Sequence, residues 1–378
     1  MSAGPAVRPA PAPSAAAVPT VGVEEEFFLL RPDGRTAGVA PDVLAALAPG
    51  VRATAEFARC QIELSTGICR ELTAVGRELS ASRGAVARVA ADHGVRLAAV
   101  GTPPADAPGF AALTDDDRYR RLVATVPGVT GEEITCAGQV HVGMASRDLG
   151  VAVLCRLRPW LPVLLALAGN SPFWRGHDTG WSSHRFVVQR RWPTFLPPPC
   201  CAGAAEYDER VADLVASRAA LDDCGVYFWA RLSPRYPTVE VRIADTCLTV
   251  SDAVLLAGLC RALVMTAVAD QVAGLPVPAT PDRSLVAAGY GAARRGTSAV
   301  VVDPWLGGWT RVVALLPLLL ATIGPALDAT GDRALIESLL TARLRRGSGA
   351  HRQRVLRRGR PRAAFVQALA DTAAGSVT

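Results

Sequence analysis

Neither of the two common nucleotide-binding glycine loops occurs in this 378-residue chain. There is no G-x-x-x-x-G-K-S/T, and Gly289-Tyr290-Gly291 reaches its next glycine at Gly296, with the wrong spacing for G-x-G-x-x-G. A nucleotide bound here would need its phosphates held by metal ions on an antiparallel sheet. Nine cysteines form no C-x-x-C pair, only Cys200 and Cys201 being adjacent. That pattern argues against a zinc site and predicts reduced thiols and a cytoplasmic location. The first nineteen residues, mostly Ala, Pro and Val with a single Arg8, lack the basic start and apolar centre of a signal peptide. They read as a disordered tail over 1–19, ahead of a single domain over 20–370. The longest apolar run, 312–327, falls short of the roughly 20 residues that cross a bilayer and contains Pro317 and Pro325. It reads as a buried helix, and no membrane partner is expected.

Half of the residues are hydrophobic and 20% are charged, a globular balance. The net charge of +6 is unevenly spread. Nine arginines and no acid lie between 343 and 362, and subtracting them from +6 leaves −3 for the rest. No aromatics interleave with them as a stacking surface requires, so no nucleic-acid partner is expected. The segment is either a solvated helix face or a phosphate contact.

The stretch 21–30, VGVEEEFFLL, reads as a strand closed by the turn Pro32-Asp33-Gly34. Alternation puts Glu24 and Glu26 on one face, about 7 Å apart, and Glu25 on the other with Val23 and Phe27. A surface strand carries such carboxylates in solvent. A buried one, as the flanking VGV and FFLL suggest, needs cations beside them, divalent metal being the natural kind.

Further segments share this character. Gln61, Glu63 and Ser65 alternate with Ile62 and Leu64, a second strand with a polar face. Glu56 lies seven residues before Glu63, so a bulge or strand switch must separate the two if both serve one site. In 136–144, Gln139, His141 and Gly143 face one side and Val140, Val142 and Met144 the other. His141 is either a core histidine on a backbone carbonyl or a ligand. In 237–245, Glu240 and Arg242 share a face, as a same-face salt bridge or as a metal ligand beside a cation for phosphoryl transfer. A short strand is expected at 96–100, and another at 226–231. Helices are expected at 41–47, 71–93, 115–123, 151–168, from Ser251-Asp252 to 269, and at 282–295, 305–327 and 332–346. The polar, aromatic segment up to 199, without periodicity, is expected to be a long loop that binds substrate or makes a surface excursion. Five carboxylates and one histidine form an oxygen-rich set suited to Mg²⁺ or Mn²⁺.

The blocks GVEEEF, EFxxxQxE, QVHVG, LLALxGNSPFWxGxDTG, RYPTVEVRxAD and GSGAxRQR run collinearly from about Val21 to Arg354. In that order they resemble the bacterial carboxylate–amine ligases of the glutamate–cysteine ligase type 2 family. The resemblance implies an α+β, glutamine synthetase-like fold, a curved antiparallel sheet with helices packed on its outer side, forming one catalytic domain. It implies an ATP-dependent ligase that joins a glutamate-like carboxylate to an amine, nominally cysteine, through an acyl phosphate. A phosphagen-type kinase of the same fold and a non-catalytic descendant are the alternatives. By the family's pattern Glu24, His141 and Glu240 surround the Mg²⁺ that grips the ATP phosphates. Glu26, Glu56 and Glu63 surround a second ion near the substrate carboxylate. Arg242 steadies the transferred phosphoryl group, and Arg185 and Arg231 hold substrate carboxylates, a task that suits planar bidentate donors. Expected partners are these small molecules, with a homodimer left open. Two departures stand out: Gln139 replaces the family's usual histidine in QVHVG, and the block 289–294 lacks its usual opening tryptophan.

Overall fold

The computed structural model describes residues 18–105, 113–128, 134–277 and 279–375, so most of the tail expected over 1–19 lies outside the described residues. Among the described residues eleven strands run in chain order: β1 (Val21–Leu30), β2 (Ala53–Ala55), β3 (Gln61–Ser65), β4 (Arg96–Ala98), β5 (Gly138–Gly143), β6 (Phe173–Trp174), β7 (His177–Asp178), β8 (Ala230–Leu232), β9 (Thr238–Val241), β10 (Val300–Val302) and β11 (Trp309–Arg311). The main sheet has the order β2-β3-β1-β5-β9-β8, and β4 joins the far end of β1. Every pairing in it is antiparallel, as expected.

β1 is the organising strand because both of its edges are used. Its 24–28 segment pairs with β3, while on the opposite edge Val21 to Glu25 pair with β5 and Phe28 to Leu30 with β4. Period-2 alternation then decides the layers. On the back face Val21, Val23, Val140, Val142, Val239 and Val241 join one core with the helix Val250–Val272, and Phe27, Leu29, Ile62 and Leu64 join another with Val86 and Ala90. Val86 and Ala90 belong to the helix Leu72–Asp92, whose apolar residues recur at helical spacing.

Glu25, which the sequence left without a role, also points to the back. It is 1% exposed and lies beside the fully buried Arg83. Arg83 Nε donates to Glu25 Oε2 at 2.9 Å and its NH2 to Oε1 at 2.6 Å. The same guanidinium donates to the carbonyls of Cys247 and Ala373, tying β1 to the segment before one helix and to the C-terminal helix Arg362–Ala374. Burial of two charges is tolerated because the pair is bidentate and the remaining donors are satisfied.

Several elements differ from expectation. The segment expected as a structureless loop holds the β6–β7 ribbon and the helix His184–Gln189, capped by the Ser183 side chain. The long helix starts at Val250, with Thr249 and Asp252 forming a reciprocal capping box. The helix expected over 305–327 starts only at Val312, because the β10–β11 hairpin turns through Gly307 at φ 70°. The strand expected over 226–231 is confined to β8.

Among the described residues three helical stretches, Arg147–Ala168, Val250–Val272 and Val312–Thr330, are long and apolar enough to cross a membrane by length and composition, which corrects the reading that no stretch reaches that size. The first two are 89% and 83% buried against the rest of the protein, the third 44%. The expectation of nine free thiols is also corrected. Cys155 and Cys200 form a disulfide, their Cα atoms 5.0 Å apart. A separation of 45 residues leaves no local signal for that pair.

Candidate active site

The front face of the sheet opens into a cavity of about 500 Å³. Glu24 and Glu26 of β1, Glu56 just past β2, Glu63 of β3, His141 of β5, Glu240 of β9 and Arg242 all line it, with Arg185 and Arg231. Strand register explains the convergence. Glu26 is opposite Glu63, Glu24 opposite Gln139, His141 opposite Glu240, and Glu240 opposite Arg231. Directly opposed residues share a face, so five strands deliver their polar side chains to one place. The parity puzzle of Glu56 and Glu63 is resolved by a strand switch: β2 and β3 are antiparallel neighbours, and the chain reverses between the two glutamates.

One cluster is tight. Ligand atoms of Glu24, His141 and Glu240 all lie within 4.8 Å of one another, with Glu24 Oε1 3.5 Å from His141 Nε2. His141 Nδ1 lies 2.9 Å from Thr238 Oγ1. With the proton on Nδ1 and donated to that hydroxyl, Nε2 presents its lone pair towards the two carboxylates. Nε2 is buried and has no hydrogen-bond partner among the described residues. An orphaned imidazole nitrogen facing two carboxylates fits a divalent cation of the Mg²⁺ or Mn²⁺ type, with Thr238 fixing the ring from behind.

Burial would raise the Glu240 pKa, but Arg242 and Arg231 outweigh it and hold the carboxyl down at about 2. Arg231 Nε donates to Glu240 Oε2 at 2.9 Å, and its NH1 donates to the carbonyls of Cys224 and Val226, each at 2.9 Å. Its guanidinium therefore anchors Glu240 and the turn at 223–226, and a substrate carboxylate would compete for those donors. Arg242 NH1 donates to both Glu240 Oε1 and Gln139 Oε1.

The second acidic group is looser. Glu26 accepts from the Ala137 N–H at 2.7 Å and from Gln139 Nε2 at 3.1 Å. Burial raises its pKa against those bonds and against Arg185 and Arg242. Burial and then repulsion from Glu26 push Glu56 up to about 7. Glu63 is raised well above the usual range by burial, then by Glu56, Glu24 and Glu26. Glu26, Glu56 and Glu63 share the cavity but do not close to the 4.8 Å span of the first cluster. Among the described residues, Arg185, Arg242 and Arg118 only partly offset the cost of ionising these three buried acids together.

Arg185, on the helix His184–Gln189, is 4% exposed. NH1 and NH2 donate to the carbonyls of Ile243 and Arg242 at 3.2 and 3.3 Å, while Nε has no partner among the described residues. The buried Asp245 carboxylate sets this helix in place by accepting from Asn170 N–H and the hydroxyls of Ser171 and Ser183, all at 2.7 Å. The altered 289–294 block supports the same helix from outside the cavity. A Cβ at Gly289 would lie 2.7 Å from the Phe186 ring and 2.9 Å from that of Trp229.

Residue patterns did not reveal the wall formed by Arg118 and Tyr119. Arg118 is held bidentately by Asp222 at 2.8 and 2.9 Å, and the Tyr119 ring meets Phe57 edge-on at 5.3 Å. Both line the cavity from the helix Asp117–Thr125, expected at 115–123, whose polar residues look in sequence like an ordinary solvated helix face. None of the nine arginines of 343–362 lines the cavity. Arg352 pairs with Asp252, and Arg354 pairs with Asp178 at 2.7 Å, so part of the basic run ties its helix to the helix Val250–Val272 and to β7.

Comparison with known proteins places this geometry in a family. The family described as glutamate–cysteine ligase family 2 matches residues 20–370. A Nocardia farcinica protein bearing the name glutamate–cysteine ligase 2-1 is 42% identical over 337 residues, covering 89% of this chain and 88% of its own. A Frankia alni protein bearing the name glutamate–cysteine ligase 2-2 is 41% identical over 364 residues, covering 91% and 94%. Among solved structures, a glutamate–cysteine ligase of Francisella tularensis in complex with AMP aligns with a TM-score of 0.66 at 12% identity, covering 94% of this chain and 88% of that one. A bifunctional glutathione synthetase from Pasteurella multocida aligns at 0.63 and 14%, covering 94% and 52%. The structural likenesses bear out the α+β fold of an antiparallel sheet covered by helices. The sequence matches, extending over most of both partners, establish that this chain belongs to glutamate–cysteine ligase family 2.

Proposed function

We propose that the protein couples a glutamate-like carboxylate to an amine at the expense of ATP, forming a γ-glutamyl amide through an acyl phosphate. Membership of the family makes it a ligase of the carbon–nitrogen type. The observation that carries the finer reading is the Glu24–His141–Glu240 cluster, with its orphaned Nε2, next to Arg242. A carboxylate is a poor electrophile until one of its oxygens carries phosphate. Its oxygen attacks the γ-phosphorus in line, ADP leaves, the amine nitrogen attacks the acyl carbon and phosphate departs.

Glu24, His141 and Glu240 would hold Mg²⁺ or Mn²⁺, which when bound supplies positive charge to the phosphate oxygens. Among the described residues Arg242 Nε and NH2 have no hydrogen-bond partner once NH1 is committed to Glu240 and Gln139, and that guanidinium edge would face the transferred phosphoryl group. Glu26, Glu56 and Glu63 would hold a second cation, or the cationic part of a substrate, at the carboxylate end. Arg185, which lines the cavity and whose Nε has no partner among the described residues, would hold a substrate carboxylate. Tyr119, Trp192 and Tyr227 wall the cavity and limit water, to which an acyl phosphate is vulnerable. Cysteine is the acceptor in the relatives' names and is the first to test.

The test is phosphate release from ATP with Mg²⁺, glutamate and a panel of amines, beside the Glu24→Gln variant. ADP and free phosphate are expected only when both carboxylate and amine are supplied, and the variant should lose turnover with its fold intact. Phosphate retained on a product would assign a kinase instead. Normal turnover by the variant would remove the cluster from the mechanism.

A further inference from the structure

Gln139 is 3% exposed near the start of β5 and sits directly opposite Glu24 on the site face of the sheet. Its two amide atoms have opposite partners. Nε2 donates to Glu26 Oε1 at 3.1 Å, and Oε1 accepts from Arg242 NH1. Arg242 NH1 also donates to Glu240 Oε1. Glu240, Arg242, Gln139 and Glu26 therefore form one continuous buried hydrogen-bond chain across β9, β5 and β1. It runs from the tight cation cluster to the looser acidic group. The direction of the amide is forced. A guanidinium only donates, so the amide atom that faces Arg242 must be the oxygen, which leaves Nε2 to donate to Glu26.

We propose that Gln139 is a positioning residue that fixes Arg242 for phosphoryl transfer and couples it to Glu26 at the substrate-carboxylate end of the cavity. The proposal rests on the ligase reading above. Two acceptors, Glu240 Oε1 and Gln139 Oε1, hold NH1, which stops the guanidinium from rotating about its stem and leaves its other edge turned to the cavity. Glu240 alone would leave that rotation open. On the other side, the Gln139 donor and the Ala137 N–H fix both oxygens of Glu26. The side chain needed at this position has one donor and one acceptor within reach of both partners.

Three variants separate this role from mere filling of space. Gln139→Met keeps the volume and loses both bonds. Gln139→Glu keeps the acceptor for Arg242 but offers no donor to Glu26. Gln139→His, as a neutral imidazole, restores one donor and one acceptor. For Gln139→Met, kcat should fall by about 100-fold while the KM for ATP stays within about 2-fold, as misplacement of a reacting group implies. Mn²⁺ binding, measured by titration, should be unchanged, because Glu24, His141 and Glu240 are untouched. Gln139→Glu should raise the KM for the carboxylate substrate, and Gln139→His should recover most of the kcat lost in the Met variant. A crystal structure of Gln139→Met should show the Arg242 guanidinium turned away from its native direction.

The proposal is overturned if Gln139→Met keeps its kcat. A parallel fall in kcat, ATP affinity and Mn²⁺ affinity, or an unmoved Arg242 in the crystal, overturns it equally. If the wild-type protein shows no amine-dependent phosphate release, the ligase reading fails on its own terms. The crystallographic comparison then still decides whether Gln139 orients Arg242.

Discussion

Glu25 has its charge matched inside the protein by Arg83, while Glu24 and Glu26 on either side of it face the cavity. One residue of pleat separates a structural ion pair from two carboxylates that line the cavity. Among the arginines the same distinction holds. Arg231 commits its guanidinium to Glu240 and to backbone carbonyls, whereas Arg242 commits one nitrogen and keeps an edge free. A planar fork can bond Glu240 and Gln139 and still address a phosphoryl group; an ammonium concentrates its charge at one point and cannot do both. Arg242→Lys should therefore lower kcat by about 100-fold while the KM for ATP changes by less than about 3-fold, the pattern of an interaction made chiefly in the transition state. Steady-state kinetics decide the matter. Equal losses in kcat and ATP affinity would make Arg242 a structural partner of Glu240 and nothing more.

At the scale of the element, β1 owes its place to the Arg83–Glu25 pair as well as to its apolar residues. Removing one partner of a fully buried bidentate pair strands a charge in the core, which costs about 3–5 kcal/mol. Arg83→Met should show such a loss in denaturant unfolding, and the double variant Arg83→Met, Glu25→Gln should regain part of it by removing the stranded charge. A loss below 1 kcal/mol in the single variant would mean that water reaches this site.

The strands and long helices were legible because their patterns are local. Alternation fixed which faces of β1, β3, β5 and β9 are polar, and the 3.6-residue period of Leu72, Val75, Leu79 and Val86 fixed the helix behind them. With the faces known, the polar residues of one face could be gathered into a candidate site, its ligand sets assigned by the family resemblance. The 170–199 segment was not legible. Its geometry comes from Asp245, whose partners Asn170, Ser171 and Ser183 are 62 to 75 residues away. Arg83 was equally hidden, since a polar residue on an amphipathic helix ordinarily faces solvent and its partner Glu25 is 58 residues distant. Gln139 was visible as a departure from the family's histidine, but its two-sided bonding needed coordinates.

For the molecule as a whole, the acidic cavity stores electrostatic cost that a bound cation would remove, and stability should then depend on pH and metal together. Glu26, Glu56 and Glu63 have raised pKa values, with burial as the first cause in each, Glu56 reaching about 7. In the unfolded chain glutamates ionise near 4.3. Between that value and the folded ones, the folded protein holds protons that the unfolded chain has released. Protonation therefore favours folding at low pH, and the benefit is progressively lost as pH rises through the folded values. Glu240 runs the other way, since a carboxyl held at about 2 stabilises the fold above its unfolded pKa and loses that effect only as pH falls towards 2. It contributes no slope between pH 5 and 8. The metal-free protein should accordingly lose thermal stability from pH 5 to pH 8. Mn²⁺ or Mg²⁺, binding the ionised carboxylates, should raise the melting temperature more at pH 8 than at pH 5. Melting curves with EDTA or with saturating Mn²⁺ at both pH values test this directly. A metal-induced shift as large at pH 5 as at pH 8 would mean that protonation of these carboxyls does not compete with the cation, and the acidic group would have to be removed from the metal-binding account.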